Sequence, residues 1–179
     1  LLKDGHIHYG ENKVQEAIEK WSNIKPQYKN IKLHMVGKLQ SNKVKFILPL
    51  FDYIHSLDNQ KLAEKISQEQ IKKKFKPKIF IQVNIGNEIQ KSGIEKKDLK
   101  LFYKLCLENY NLDIIGLMCI PPESTDSKIY FQEMLELKKQ LGLKELSMGM
   151  SNDYIQAVKN GATYIRIGSK IFGERTNKF

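Results

Sequence analysis

The chain has 179 residues and a formal net charge of +10, long enough for one domain with a sizeable core. Hydrophobic residues make up 41%, ordinary for a globular protein, and no apolar run approaches the ~20 residues of a membrane span. The charge does not by itself describe a nucleic-acid surface: of the lysines and arginines only Arg166 and Arg175 are arginine, the only dense run is KKKFKPK at 72–78, and the chain lacks the repeated basic–aromatic interleaving that stacks bases.

The first residues, LLKDG, read as the last turn of a helix stopped by Gly5. An N-terminal piece is therefore expected to be missing. HIHY at 6–9 follows as a strand, and a helix starts from an Asn12 cap, with Val14, Ala17, Ile18 and Trp21 at i, i+3, i+4 and i+7. KLHMV at 32–36 and YIHS at 53–56 are the next strands. Leu62, Ala63 and Ile66 mark the helix after Asp58, and KIFIQVN at 78–84 is a strand. Leu99, Phe102, Tyr103 and Cys106 form another helical stripe, followed by the strand DIIGLMC at 113–119. The stripe Phe131, Met134, Leu135 and Leu141 leads to ELSM at 145–148. Ile155 and Val158 form a short helix between Ser151 and the stop Asn160-Gly161, and TYIRI at 163–167 closes the series.

Seven strand-then-helix units with no two-residue hairpin turn imply a parallel sheet with right-handed crossovers. An open dinucleotide-binding sheet would want a G-x-G-x-x-G turn, and none is present. The expected fold is α/β, a (β/α)8 TIM barrel whose first strand is absent from the sequence, with residues 1–179 forming a single domain. Cys106 and Cys119 lack metal-ligand spacing and read as buried free thiols of a reducing, cytoplasmic compartment.

Barrel chemistry sits at the C-terminal ends of strands. Two glycine-serine turns, SMGMS at 147–151 and RIGS at 166–169, follow the last two strands. In many barrels those loops hold a phosphate. Glycine lets backbone N–H groups approach an anion, Ser147 and Ser151 add hydroxyls, Ser151 fits as an N-cap, and Gly168 and Ser169 open the last short helix. Arg166 shares a strand face with Tyr164, so a buried acceptor or a ligand is expected beside it. His6-Ile7-His8, with His34 and His55, does not read as a metal site, because the last strand ends in RIGS without a carboxylate.

HYGENKVQEAIEKW, LHMVGKLQSNK, SLDNQKLAEKI, FIQVNIGNEIQKSGI, IIGLMCIPP, LSMGMSNDYIQAV and TYIRIGSKIFGER resemble the YggS/PROSC proteins, the pyridoxal 5′-phosphate (PLP) homeostasis family, over about residues 4–175. The resemblance implies a barrel of the alanine racemase N-terminal type without that enzyme's second domain. It also implies one bound PLP, a role in vitamin B6 balance without demonstrated turnover, and no catalytic residues. The alternative is a racemase-like or other phosphate-binding barrel enzyme. The resemblance places Arg166 at the pyridine nitrogen, Ser147, Gly149, Ser151, Gly168 and Ser169 at the phosphate, and Asn12 and His34 along the cofactor pocket. PLP is the expected partner of a monomer with no nucleic-acid, membrane or metal site. The family also holds the PLP aldehyde as a Schiff base on a lysine ending strand 1, in a V-S-K segment. That segment does not occur here, and Lys3 is not its equivalent.

Overall fold

The computed structural model describes residues 1–123 and 126–173. Seven strands run in chain order, all parallel: β1 (His8–Glu11), β2 (Lys32–Met35), β3 (Tyr53–Leu57), β4 (Lys78–Gln82), β5 (Asp113–Met118), β6 (Glu145–Met150) and β7 (Tyr164–Arg166). Each strand pairs with its sequence neighbours, the order that right-handed crossovers impose. The sheet curls into a barrel of the (β/α)8 type, one strand short, with β1 and β7 as its two edges.

The helices are α1 (Val14–Ile24), α2 (Val44–Ile47), α3 (Gln60–Lys73), α4 (Leu99–Glu108), α5 (Ser127–Gln140), α6 (Tyr154–Lys159) and α7 (Ser169–Phe172). Their apolar stripes cover the outer face of the sheet. Ala17 and Trp21 of α1, Leu62, Ala63 and Ile66 of α3, Phe102 of α4 and Phe131 and Met134 of α5 are all buried in one core. The matching strand residues are Leu33 and Met35, Ile54, Ile79 and Ile81, Leu117, and Leu146 and Met148. These alternate along the strands with residues that point the other way, into the barrel.

Three local expectations need correction. Strand β1 begins at His8, not His6, because its ladder with β2 runs from His8 opposite Lys32 to Glu11 opposite Met35. Asn12 does not cap α1: Lys13 holds the N-cap position in an extended conformation, with no side-chain capping bond. The Asn12 backbone is packed instead against Gly37, where a Cβ would stand 2.1 Å from the Asn12 carbonyl oxygen. Nor does Ser151 cap α6. A turn intervenes, closed by the Met150 N–H donating to Asp153 Oδ1 at 2.7 Å, and Asp153 takes the N-cap position. The helix expected after Asp58 is present, capped by the Asn59 side chain, which accepts from Leu62 N–H at 2.9 Å.

At the other end of the chain, Gly5 has φ +80, and the bonds Gly5 N–H to Leu2 O and His6 N–H to Leu1 O close a Schellman turn. Both cysteines are buried free thiols, each pushed up to about 12 by burial. Among the described residues no helix is long and apolar enough to cross a membrane.

Candidate functional site

The inner face of the sheet carries rings and polar groups where the outer face carries aliphatic ones. Tyr53, Phe80 and Met118 form a small buried cluster with Ile115, Ile120 and Tyr164 packed against it. His34 stacks on Tyr53 with ring centroids 4.1 Å apart, and His55 stacks on Phe80 at 4.3 Å. Tyr164, on the opposite edge strand, contacts His8, His34, Tyr53, His55 and Phe80. Tyr164 and Arg166 thus face the barrel interior, as strand alternation predicts, while Ile165 faces outward.

Arg166 ends β7. Its Nη1 donates to Ser147 Oγ at 2.7 Å and its Nη2 to the Cys119 carbonyl at 2.8 Å. Among the described residues, the acceptors of this strand arginine are thus a hydroxyl and a carbonyl rather than the carboxylate of an ion pair. A guanidinium has five N–H donors and no acceptor, so these two bonds orient the fork and leave donors for a third group. Burial lowers the Arg166 pKa from its ordinary value, but a guanidinium stays charged in proteins.

From Ser147 a row of imidazoles crosses the barrel. Ser147 Oγ lies 2.8 Å from His55 Nδ1, His55 Nε2 lies 2.9 Å from His34 Nδ1, and His34 Nε2 lies 2.9 Å from His8 Nδ1. His55 and His34 are buried and His8 is exposed. Burial first, then the neighbouring His8 ring, holds His34 down to about 3. Burial, His34 and Arg166 hold His55 well below the ordinary imidazole range. His8 is lowered by burial and by His6. Ring nitrogens bonded to one another in sequence are not arranged around a common centre, which a metal would require.

The residues singled out from the sequence occupy three positions. Ser147 and His34 belong to the interior row. Ser147 is fully buried, and its hydroxyl meets Arg166 and His55 rather than the loop above. Asn12 lines a cleft of about 350 Å3 at the strand ends, with Gly37, Lys38, Asn84 and Ile120 among its walls. Ile120 follows Cys119, whose carbonyl holds Arg166, so the end of β5 joins cleft and arginine.

Gly149, expected in a turn, lies within the last residues of β6; Ser151 is in the turn that follows, Gly168 comes between β7 and α7, and Ser169 is the first residue of α7. Gly149 has φ +90, and a Cβ there would sit 2.5 Å from Ala157 Cβ, so a glycine is needed where α6 crosses β6. Gly168 differs: a Cβ at that position would meet no protein atom within 4 Å. That open space lies at the start of α7, where the Ile171 and Phe172 N–H groups donate to the Gly168 carbonyl at 2.9 Å and the helix geometry leaves the Ser169 and Lys170 N–H groups without an intrahelical acceptor. Arg175 lies outside the described residues. A second depression, of about 420 Å3 and lined by Lys45, Phe46, Glu69, Lys72 and Lys73, lies on the helical outside of the barrel.

The sequence did not reveal Ser147 and the Cys119 carbonyl as partners of Arg166, nor the row of His55, His34 and His8 that continues from Ser147. The signal available was the placement of His8, His34 and His55 on three successive strands, each at an inward-facing position.

Parallel strands in chain order, with helices outside and polar groups inside and at the strand ends, define an α/β barrel. The chain matches the family described as the alanine racemase N-terminal domain over residues 1–176. It is 40% identical over 176 residues to the pyridoxal phosphate homeostasis protein of Aquifex aeolicus (strain VF5), covering 93% of this chain and 76% of that protein. The protein of the same name from Vibrio cholerae is 37% identical over 181 residues, covering 96% and 77%. Among solved structures, PipY of Synechococcus elongatus PCC7942 with PLP bound superposes with a TM-score of 0.85 at 35% identity, over 96% of this chain and 84% of that one. An alanine racemase of Clostridium difficile 630 shares the fold alone, with a TM-score of 0.73 at 12% identity over 48% of its length. The chain belongs to the pyridoxal phosphate homeostasis protein family, built on the alanine racemase N-terminal domain.

Proposed function

We propose that this protein binds pyridoxal 5′-phosphate at the C-terminal ends of its strands and serves PLP homeostasis as a holder of the cofactor rather than as a catalyst. The observation that carries this is the Arg166 fork, fixed by Ser147 and the Cys119 carbonyl at the end of β7, in a chain 35% identical to a protein solved with PLP bound.

The residues fit the group. Arg166 keeps donors for a ring nitrogen after its two protein bonds. The space over Gly168, the Ser169 and Lys170 N–H groups and the Ser169 hydroxyl suit a phosphate. Ser151 and Gly149 shape the adjoining turn, and Asn12 borders the cleft alongside. PLP supplies an aldehyde and an electron-withdrawing ring when bound. A permanently charged arginine at the ring nitrogen holds that nitrogen unprotonated and weakens its pull on electrons. His34 and His55 stay neutral and bonded to each other, so they buttress the site and offer no free base. Racemisation needs a base on each face of the substrate. Residues 1–179 act as one domain in this reading, working as a monomer in the cytoplasm.

Titrating the purified protein with PLP and following the cofactor's absorbance should give saturable binding with a shifted band. Arg166→Lys should weaken binding by about 5–100-fold, the loss of one to two buried charged hydrogen bonds. Unchanged affinity in that variant would remove Arg166 from the site. Incubating the PLP-loaded protein with L-alanine should produce no D-alanine, and steady turnover would overturn the non-catalytic role.

A further inference from the structure

The interior row has a direction, and Arg166 sets it. A guanidinium only donates, so Ser147 Oγ accepts from Nη1. Ser147 is fully buried, and the nearby acceptor for its own O–H is His55 Nδ1. The His55 proton must then sit on Nε2, which donates to His34 Nδ1. His34 in turn carries its proton on Nε2 and donates to His8 Nδ1. Each bond fixes the next tautomer, from the barrel interior out to the exposed ring on β1. The reverse arrangement would aim a His55 N–H at Ser147 and strand the serine proton in a buried site, the costly way to leave a hydroxyl.

We propose that His55 is a positioning residue for Arg166. Acting through Ser147, it draws the serine proton away from β7 and keeps the oxygen lone pairs turned to the guanidinium. His34 and His8 set its tautomer from the other side. The fork is thereby held in one plane across five strands' worth of side chains, from β1 to β7. The charged and titratable groups facing the row are His6, Lys32 and Asp52 at His8, Asp52 and Lys25 at His34, and Arg166 at His55. Tyr53 stacks on His34, and Tyr164 lies against all three rings. An added proton on His34 or His55 would bring a second positive charge toward Arg166 and reverse the serine.

The binding readout rests on the proposed PLP site, but the tautomers do not. Nitrogen-15 NMR of histidine-labelled protein, with no PLP added, should show His8, His34 and His55 neutral and protonated on Nε2 at neutral pH. A proton on Nδ1 of His34 or His55, or a doubly protonated ring at either, overturns the proposal. His55→Asn keeps an acceptor near the Nδ1 position, and His55→Phe removes it while keeping a ring on Phe80. The Arg166 side-chain N–H signals should exchange slowly in the native protein and in His55→Asn, and be averaged in His55→Phe. PLP affinity should stay within about 3-fold in His55→Asn and fall at least ~10-fold in His55→Phe, the weight of one buried hydrogen bond. Equal loss in both variants, or loss in neither, overturns the positioning role. If His55→Phe does not fold, the native tautomers decide. If the native protein does not bind PLP, the cofactor reading fails, and the tautomers and arginine signals still judge the row.

Discussion

The two faces of the one sheet are built on different physics. The outer face, under the helices, is aliphatic and aromatic, with Leu33, Ile54, Ile81, Leu146 and Met148 packed on Trp21, Ile66, Phe102 and Phe131. Its stabilisation is non-directional and follows the area removed from water. The inner face places His34, His55, Ser147, Tyr164 and Arg166 at the alternate positions of the same strands. There, each polar atom depends on its neighbour's orientation. A buried polar row is stable only when every member is satisfied, so its tolerance to change is narrow even where its contribution to folding is small. The outer face supplies the larger apolar core, and the inner face carries the directional bonds.

The largest test of that division is in the outer core. Phe131→Ala should cost about 3–5 kcal/mol of stability, read by urea denaturation, because it empties a fully buried ring site. A loss below ~1 kcal/mol would mean that the helical layer is not the source of stability.

Acid comes next and addresses the inner face. His34 and His55 have folded pKa values below the ordinary 6.5. The unfolded chain takes up protons at these rings as the pH falls through 6.5, and the folded chain does not. Their contribution is therefore full above pH 6.5 and is lost progressively below it, down to about 3 for His34. Between about pH 6 and 5, where few carboxylates titrate, each ring that stays neutral should remove about 1.4 kcal/mol of unfolding free energy per pH unit. Stability that stays flat over that interval would mean that the two rings charge freely in the folded protein.

The smallest effect belongs to neither face. Lys139→Ala breaks an exposed pair with Glu136 on α5, and should change stability by less than ~0.5 kcal/mol. A larger loss would show that surface charge carries weight that the two-face division leaves out.

How much of this was legible in the sequence varies with the range of the forces involved. All seven strands were, because each is a short run with its own period; only β1 is displaced as a whole, by two residues, while β4 ends two residues sooner and β6 two later than expected. Its start is set by the ladder to β2, which the HIHY run does not contain. That Arg166 and Tyr164 share a strand face was legible too, from their two-residue spacing, but which face points into the barrel was not. The helix caps were less so. Asn12 and Ser151 are good cap residues by type, but Asn12 is pinned against Gly37 and Ser151 yields to the Asp153 turn. The interior row was not legible at all as a unit. His55 meets Ser147 across 92 positions and His34 across 21. That alignment comes from strand register and barrel curvature, which no local pattern encodes. For the same reason Ser147, which resembles a phosphate-loop serine in sequence, has its hydroxyl beneath the loop, between His55 and Arg166.

The one-way order of the imidazoles has an electrostatic consequence. A neutral imidazole is a strong dipole, negative at its bare nitrogen and positive at its N–H. In His8, His34 and His55 the bare nitrogen is Nδ1, on the Arg166 side, and the Ser147 oxygen continues the same sense. The three rings add head to tail, as peptide units do along a helix, with the negative end of the stack directed at the guanidinium. A half-buried cation whose two acceptors among the described residues are both neutral is thus partly solvated by an aligned column of rings that substitutes for water. Because these dipoles are fixed in advance, Arg166 keeps its charge without a carboxylate acceptor on its fork, and its outward field is available to whatever docks at the strand ends.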